Sequence, residues 1–234
     1  MREIDQWVKD SVILEERIGY QFKNKAMLLE AMTHSSFANE WRHKKLDDNE
    51  RLEFLGDSVL SLIVSHYIFN KFSKLPEGEL TKVRANVVCE SSLALKARRI
   101  YIGKHLLLGR GEEASGGRDR DSILADCLES LIAAIYLDGG FNKARDFVID
   151  NFMDLIDLAV NGDLMSDYKT KLQEILQSNT QDKIEYAVVR EEGPDHNKTF
   201  YVEVSIGNKV IGFGDGKNKK EAEQNAAKYA IANM

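Results

Sequence analysis

The sequence is poor in cysteine, poor in proline and short of positive charge: two Cys, two Pro and a net charge of −6 in 234 residues. Cys89 and Cys127 stand far apart, with no C-x-x-C spacing. Zinc ribbons and dithiol redox chemistry are therefore excluded, and two buried free thiols in a reducing compartment are expected. Pro76 and Pro194 leave the first 160 residues almost free of strong helix breakers. A pI of about 5.5 denies the chain a global basic field, so any surface for nucleic acid has to be a local patch. No uninterrupted apolar run looks long enough to span a bilayer. Met1-Arg2-Glu3-Ile4-Asp5 places acid where a secretory leader needs a basic and then an apolar run. A cytoplasmic protein without a membrane partner is expected.

What is present is 43% hydrophobic and 30% charged, the composition of a globular protein with a real core. Apolar residues recur at three- and four-residue steps over 24–38, 49–73 and 121–137, the spacing of amphipathic helices. Shorter helices are expected over 3–17, 79–99 and 141–158. The run Gly109-Arg110-Gly111-Glu112-Glu113-Ala114-Ser115-Gly116-Gly117-Arg118 reads as an exposed loop. Near residue 160 the pattern changes. Asn161-Gly162-Asp163 reads as a helix stop, and after it Phe200, Val202, Val204 and Ile206 alternate with polar partners, the period of a half-buried strand. The organisation expected is an all-α domain over 1–160, a linker at about 161–166 and a small α+β domain of order α-β-β-β-α over 167–234.

The most informative stretch is Asn49-Glu50-Arg51-Leu52-Glu53-Phe54-Leu55-Gly56-Asp57-Ser58-Val59-Leu60. On a helix Glu50, Glu53 and Asp57 share one face, and Glu53 with Asp57 form an i,i+4 like-charge pair that destabilises a helix by roughly 0.2–0.5 kcal/mol. Asp126 and Glu129 repeat the arrangement within Ile123-Leu124-Ala125-Asp126-Cys127-Leu128-Glu129. One such pair is ordinarily a solvated face. Two pairs on two apolar helices imply carboxylates held where their charge is disfavoured, unless a divalent cation neutralises them. All-oxygen donors select a hard ion, Mg²⁺ or Mn²⁺. Four carboxylates balance two such ions, the arrangement suited to in-line phosphodiester hydrolysis. A carboxylate-bridged di-iron bundle is the competing chemistry, but it wants two Glu-x-x-His motifs and the sequence offers only Glu40-x-x-His43.

Asn49–Leu60 resembles the signature helix of the ribonuclease III family of double-strand-specific endoribonucleases, and Leu124–Gly140 resembles its second acidic helix. The resemblance extends over nearly the whole chain. It implies a metal-binding cluster of Glu53, Asp57, Asp126 and Glu129. It further implies that Asp57, Glu129, Glu50 and Glu77 act in the cleavage cleft, and that Phe54 is a dimer contact. Taken on residues alone, Glu77 would be a solvated turn acid and Phe54 plain core. The family's Thr-His-Arg-Ser run is Thr33-His34-Ser35-Ser36 here, and His34 reads as a structural histidine.

The C-terminal segment holds ten basic against eleven acidic residues, so the placement of its lysines matters more than their number. In Gly214-Asp215-Gly216-Lys217-Asn218-Lys219-Lys220-Glu221, Asn218 is a good N-cap and Glu221 completes a capping-box pattern. Lys219 and Lys220 would occupy a first helical turn, where the dipole disfavours cations by about 0.3–1 kcal/mol each. Lysines there make sense if they and free backbone N–H groups grip a phosphate. The segment and its α-β-β-β-α order resemble the double-stranded-RNA-binding domain, which reads A-form shape across two minor grooves and the phosphates between them. By that resemblance Thr170, Gln173 and Gln177 reach one minor groove and His196 the other. Lys217, Asn218, Lys219 and Lys220 hold phosphates, with Asn218 standing where the family more often has serine. The expected protein is thus a homodimeric, Mg²⁺-dependent (or Mn²⁺-dependent) endoribonuclease. It would cut both strands of double-stranded RNA to 5′-phosphate and 3′-hydroxyl ends, in the processing and decay of rRNA and mRNA precursors.

Overall fold

A computed structural model of the chain describes residues 2–161, 168–177, 183–194 and 198–234. The chain divides into two compact units, Met1–Leu164 and Met165–Met234. The expected linker falls almost wholly outside the described residues.

The first unit is helical: α1 (Arg2–Ile18), α2 (Lys25–Ala31), α3 (Ser35–Glu40), α4 (Glu50–Lys71), α5 (Glu77–Val87), α6 (Glu90–Arg99), α7 (Arg110–Ala114), α8 (Asp121–Gly139) and α9 (Phe141–Asn161). α8 is its axis. Ile123, Leu124, Ala125, Cys127, Leu128, Leu131 and the run Ile132–Ile135 are all buried, so this helix is apolar nearly all round, as a central helix must be. α4 packs against it most extensively, and α2, α6 and α9 complete the surround. By length and hydropathy α4 could cross a membrane, contrary to the expectation from the sequence. Its Leu52, Val59, Leu60, Ile63, Val64 and Ile68 are instead buried in this core.

Three expected elements differ. The segment 24–38 is two helices, because the Thr33 backbone leaves the helix to bridge Leu107, where the His34 N–H donates to the Leu107 carbonyl. The segment 79–99 breaks at Val88–Cys89, and Cys89 becomes the N-cap residue of α6. That exposes its thiol in part, so only Cys127 is a buried thiol. The glycine-rich run carries α7 and a short 3₁₀ turn rather than an open loop. Arg118 ties it down with donors to the Gly103 and Leu106 carbonyls and an ion pair to Glu113.

The second unit has α10 (Tyr168–Gln177), β1 (Ile184–Glu192), β2 (Thr199–Ile206), β3 (Lys209–Gly216) and α11 (Lys219–Ala232). The strands form one antiparallel sheet in the order β1-β2-β3. Val202 and Val204 of β2 meet Leu172, Leu176 and the stripe Ala222, Ala226, Ala230 in a small core. α11 packs closely on β3: a Cβ at Gly214 would collide with the backbone of Ala226, and one at Gly216 with that of Ala222. Glycines at every second strand position facing alanines at every fourth helix position allow that approach.

Candidate active site

The site begins with the crossing of α4 and α8. A Cβ at Gly56 would overlap the carbonyl carbon and oxygen of Glu129, so the two backbones are in direct contact at that residue. Glycine inside a helix is unfavourable by about 1 kcal/mol relative to alanine, and here the close approach is what it permits. The acids flanking the contact are thereby brought together. Glu53, Asp126 and Glu129 each present a carboxylate oxygen within 4.8 Å of the others. The crossing is pinned from α8, where the Ser130 hydroxyl donates to the carbonyl of buried Asn49 at 3.0 Å.

The acids of this cluster are half-buried rather than buried. Asp57 departs furthest from expectation. It is exposed and lies outside the group of three, although it shares the α4 face of Glu53. Its charge is nonetheless felt by Glu129. Burial, then Asp57, Asp126 and Glu53, push the Glu129 carboxyl up to about 8. Glu53 is raised by burial and then by Asp126 and Glu50. Asp126 is raised by burial and then by Glu90, with His34 acting in the opposite sense. Among the described residues no Lys or Arg forms an ion pair with these three acids. A site of clustered oxygen donors lacking a protein countercharge fits a hard divalent cation.

The electrostatics give a pH dependence. The folded, metal-free protein keeps a proton on Glu129 that the unfolded chain has already lost above about pH 4.5, so stability falls as pH rises toward 8. Asp138 and Asp154, which are lowered by their partners, act in the opposite sense but at more acidic pH. Thermal unfolding of the metal-free protein should therefore show Tm dropping between pH 5 and pH 8, by about 2–4 °C for each kcal/mol of stability lost. Saturating Mg²⁺ should remove the slope; a flat profile without metal would contradict the strained cluster.

Glu50 is exposed in the first turn of α4, and its charge contributes to raising Glu53. Glu77 is not drawn into the cluster. It is exposed at the start of α5, accepts a hydrogen bond from the Thr81 hydroxyl at 3.0 Å, and lines an open groove of about 350 Å³ with Leu62, Phe69 and Leu80. His34 is structural: its Nδ1 accepts from the Ser36 N–H and caps α3. Glu40 accepts from the Arg110 N–H at 2.7 Å, and neither it nor His43 joins the cluster, which leaves the di-iron chemistry without its ligands. Phe54 is 80% exposed rather than core. Leu62 and Phe69, also exposed, follow it at eight- and seven-residue steps along α4.

In the second unit Gln173 is exposed on α10. Thr170 and Gln177 also lie on α10, but their side chains, like His196, fall outside the described residues. Asn218 caps α11 by accepting the Glu221 N–H, whereas the Glu221 carboxylate reaches the Lys217 N–H at 2.8 Å rather than that of Asn218. Lys217, Lys219 and Lys220 are exposed around this first turn.

The sequence reading missed Gly56 and Glu90. A glycine in mid-helix between two acids was the available signal for the first. For Glu90, which enters from α6, sequence spacing held none.

Residues 24–156 match the family model described as ribonuclease-III-like, and residues 168–234 match the double-stranded RNA binding motif. The chain is 55% identical over 221 residues to ribonuclease 3 of Caldanaerobacter subterraneus subsp. tengcongensis, covering 94% of this chain and 96% of that protein. It is 50% identical over 221 residues to ribonuclease 3 of Clostridium perfringens, covering 94% and 92%. The solved nuclease domain of ribonuclease III from Campylobacter jejuni, which has a region involved in dimer formation, superposes with a TM-score of 0.56. It is 44% identical and covers 61% of this chain and 99% of that one.

Proposed function

Given that the chain belongs to the ribonuclease III family and is an endoribonuclease carrying a double-stranded-RNA-binding domain, we propose that it hydrolyses both strands of duplex RNA with Mg²⁺, Mn²⁺ substituting. The products would carry 5′-phosphate and 3′-hydroxyl ends. The observation that carries the reading is the convergence of Glu53, Asp126 and Glu129 within 4.8 Å at the α4–α8 crossing. These three, with Asp57 beside them, would hold the metal, and a bound divalent ion supplies an activated water and a counter-charge for the leaving oxygen. Glu129 must release its proton for the site to load, which the positive charge of the ion favours. Glu50 and Glu77 are assigned to the cleft that receives the RNA. We assign the catalytic domain to residues 1–160 and the RNA-binding domain to 167–234.

The exposed stripe Phe54, Leu62 and Phe69 supports a homodimer formed through α4, with the Leu62–Leu80 groove available to an aromatic from the second copy. On the RNA-binding domain, Gln173 with Thr170 and Gln177 is assigned to one minor groove and His196 to the next. Lys217, Asn218, Lys219 and Lys220 are assigned to the phosphates between. Cytoplasmic processing and decay of rRNA and mRNA precursors is the corresponding role.

The test is direct. Metal-stripped protein is incubated with a long RNA duplex, with and without Mg²⁺, and the products are sized and their ends labelled. Short duplexes with 5′-phosphates are expected only with the ion; cutting in its absence, or intact RNA in its presence, would overturn the proposal.

A further inference from the structure

Glu191, at the end of β1, is paired across the sheet with Phe200 of β2, which is paired in turn with Gly216 of β3. That row leads from the outer strand to the first turn of α11. Along it, Lys219 reaches back from the helix. Its Nζ lies 5.8 Å from the centre of the Phe200 ring and 4.0 Å from the Glu191 carboxylate. The same carboxylate takes Lys198, just before β2, at 3.2 Å. One acid thus gathers two lysines from separate elements on the end of the domain where the α11 cap lies. All three side chains are at least one-third exposed. Exposed pairs of this kind contribute little to folding, so the stability of the domain does not account for the acid's position.

We propose that Glu191 is a built-in counterion for Lys219, its carboxylate shared with Lys198, from which a phosphate of the duplex must take Lys219 on docking. This rests on the assignment of Lys219 to the RNA backbone. The physical consequence concerns salt. A lysine that neutralises a phosphate releases cations condensed on the duplex, and that release steepens the dependence of affinity on salt. A lysine whose charge is shared with a carboxylate neutralises the phosphate less fully and releases fewer of them. Glu191 should therefore lower affinity and flatten its salt dependence.

The experiment measures binding of the full-length protein to a blunt RNA duplex over a range of KCl, without divalent ions so that no RNA is cut. Wild type, Glu191→Gln, Lys219→Ala and the double variant are compared. Glu191→Gln is expected to bind about two- to fivefold more tightly at low salt, the scale of one exposed ion pair. Its plot of log K against log[KCl] should be steeper by up to about 0.9, one phosphate's worth. Lys219→Ala should be flatter than wild type, and in its background the gain from Glu191→Gln should shrink to what Lys198 alone provides. If Lys219→Ala flattens the plot while Glu191→Gln changes neither affinity nor slope, or weakens binding, Glu191 has no such role. If Lys219→Ala leaves the wild-type slope unaltered, the phosphate assignment fails first and this inference with it.

Discussion

Glu129→Gln should abolish duplex cleavage while leaving the protein folded and able to bind RNA. At neutral pH the Glu129 carboxyl, pushed up to about 8, is mostly protonated in the metal-free protein. The neutral amide is nearly its isostere, so the fold has little to lose. What disappears is the capacity to become a carboxylate when a cation arrives. Even outer-shell partners of metal ligands reduce activity by about 10–100-fold when replaced, so a direct ligand should cost at least about a hundredfold. The checks are three: a single-turnover cleavage rate, a duplex-binding isotherm and a melting curve. The variant should also lose most of the fall in Tm from pH 5 to pH 8, because the titrating group is gone. Cleavage within tenfold of wild type would remove Glu129 from the metal site. Loss of RNA binding would mean that the nuclease domain grips the duplex through this acid.

Much of this site was legible in the linear sequence, for a physical reason. Carboxylates among leucines at helical spacing conflict with folding, and burial with neighbouring acids makes Glu53 and Glu129 weaker acids than usual, with no ion-pair partner among the described residues. The same logic overstated the burial of Asp57. An apolar run on a helix says nothing about which side of it meets the core, and Asp57 turned out on the exposed side. For Phe54 the residues alone pointed the other way, to core, whereas it stands in solvent; its assignment as a dimer contact came from the family resemblance. The break at Thr33–His34 was hidden because its cause, the Leu107 backbone, lies over seventy residues away. In the second unit the alternation of β2 and the cap of α11 were local and read correctly, since Val202 and Val204 are buried and Asn218 accepts the Glu221 N–H. The partner of Lys219 was not, because strand register brings Glu191 to it and register is not a local property.

Gly56→Ala should be the most damaging alanine substitution among the described glycines, since it brings a Cβ nearest to another residue's backbone. The new Cβ would overlap the backbone of Glu129, which has no rotamer to change, so α4 and α8 must separate. Overpacking of this kind costs about 1–3 kcal/mol, against a helix-propensity gain of about 1 kcal/mol from removing a mid-helix glycine. Activity should fall further than stability. Glu53 stands on one helix and Asp126 and Glu129 on the other, so any separation opens the cluster, and a misplacement of about 1 Å lowers rates by about a hundredfold. The measurement is cleavage rate and Mg²⁺ affinity at a temperature where circular dichroism shows the variant fully folded. Gly111→Ala is the control, because a Cβ there meets nothing within 4 Å and should be tolerated with cleavage intact. Wild-type cleavage and Mg²⁺ affinity in Gly56→Ala would mean that the two acidic helices are not held together at this contact, and the convergence of Glu53 with Asp126 and Glu129 would need another cause.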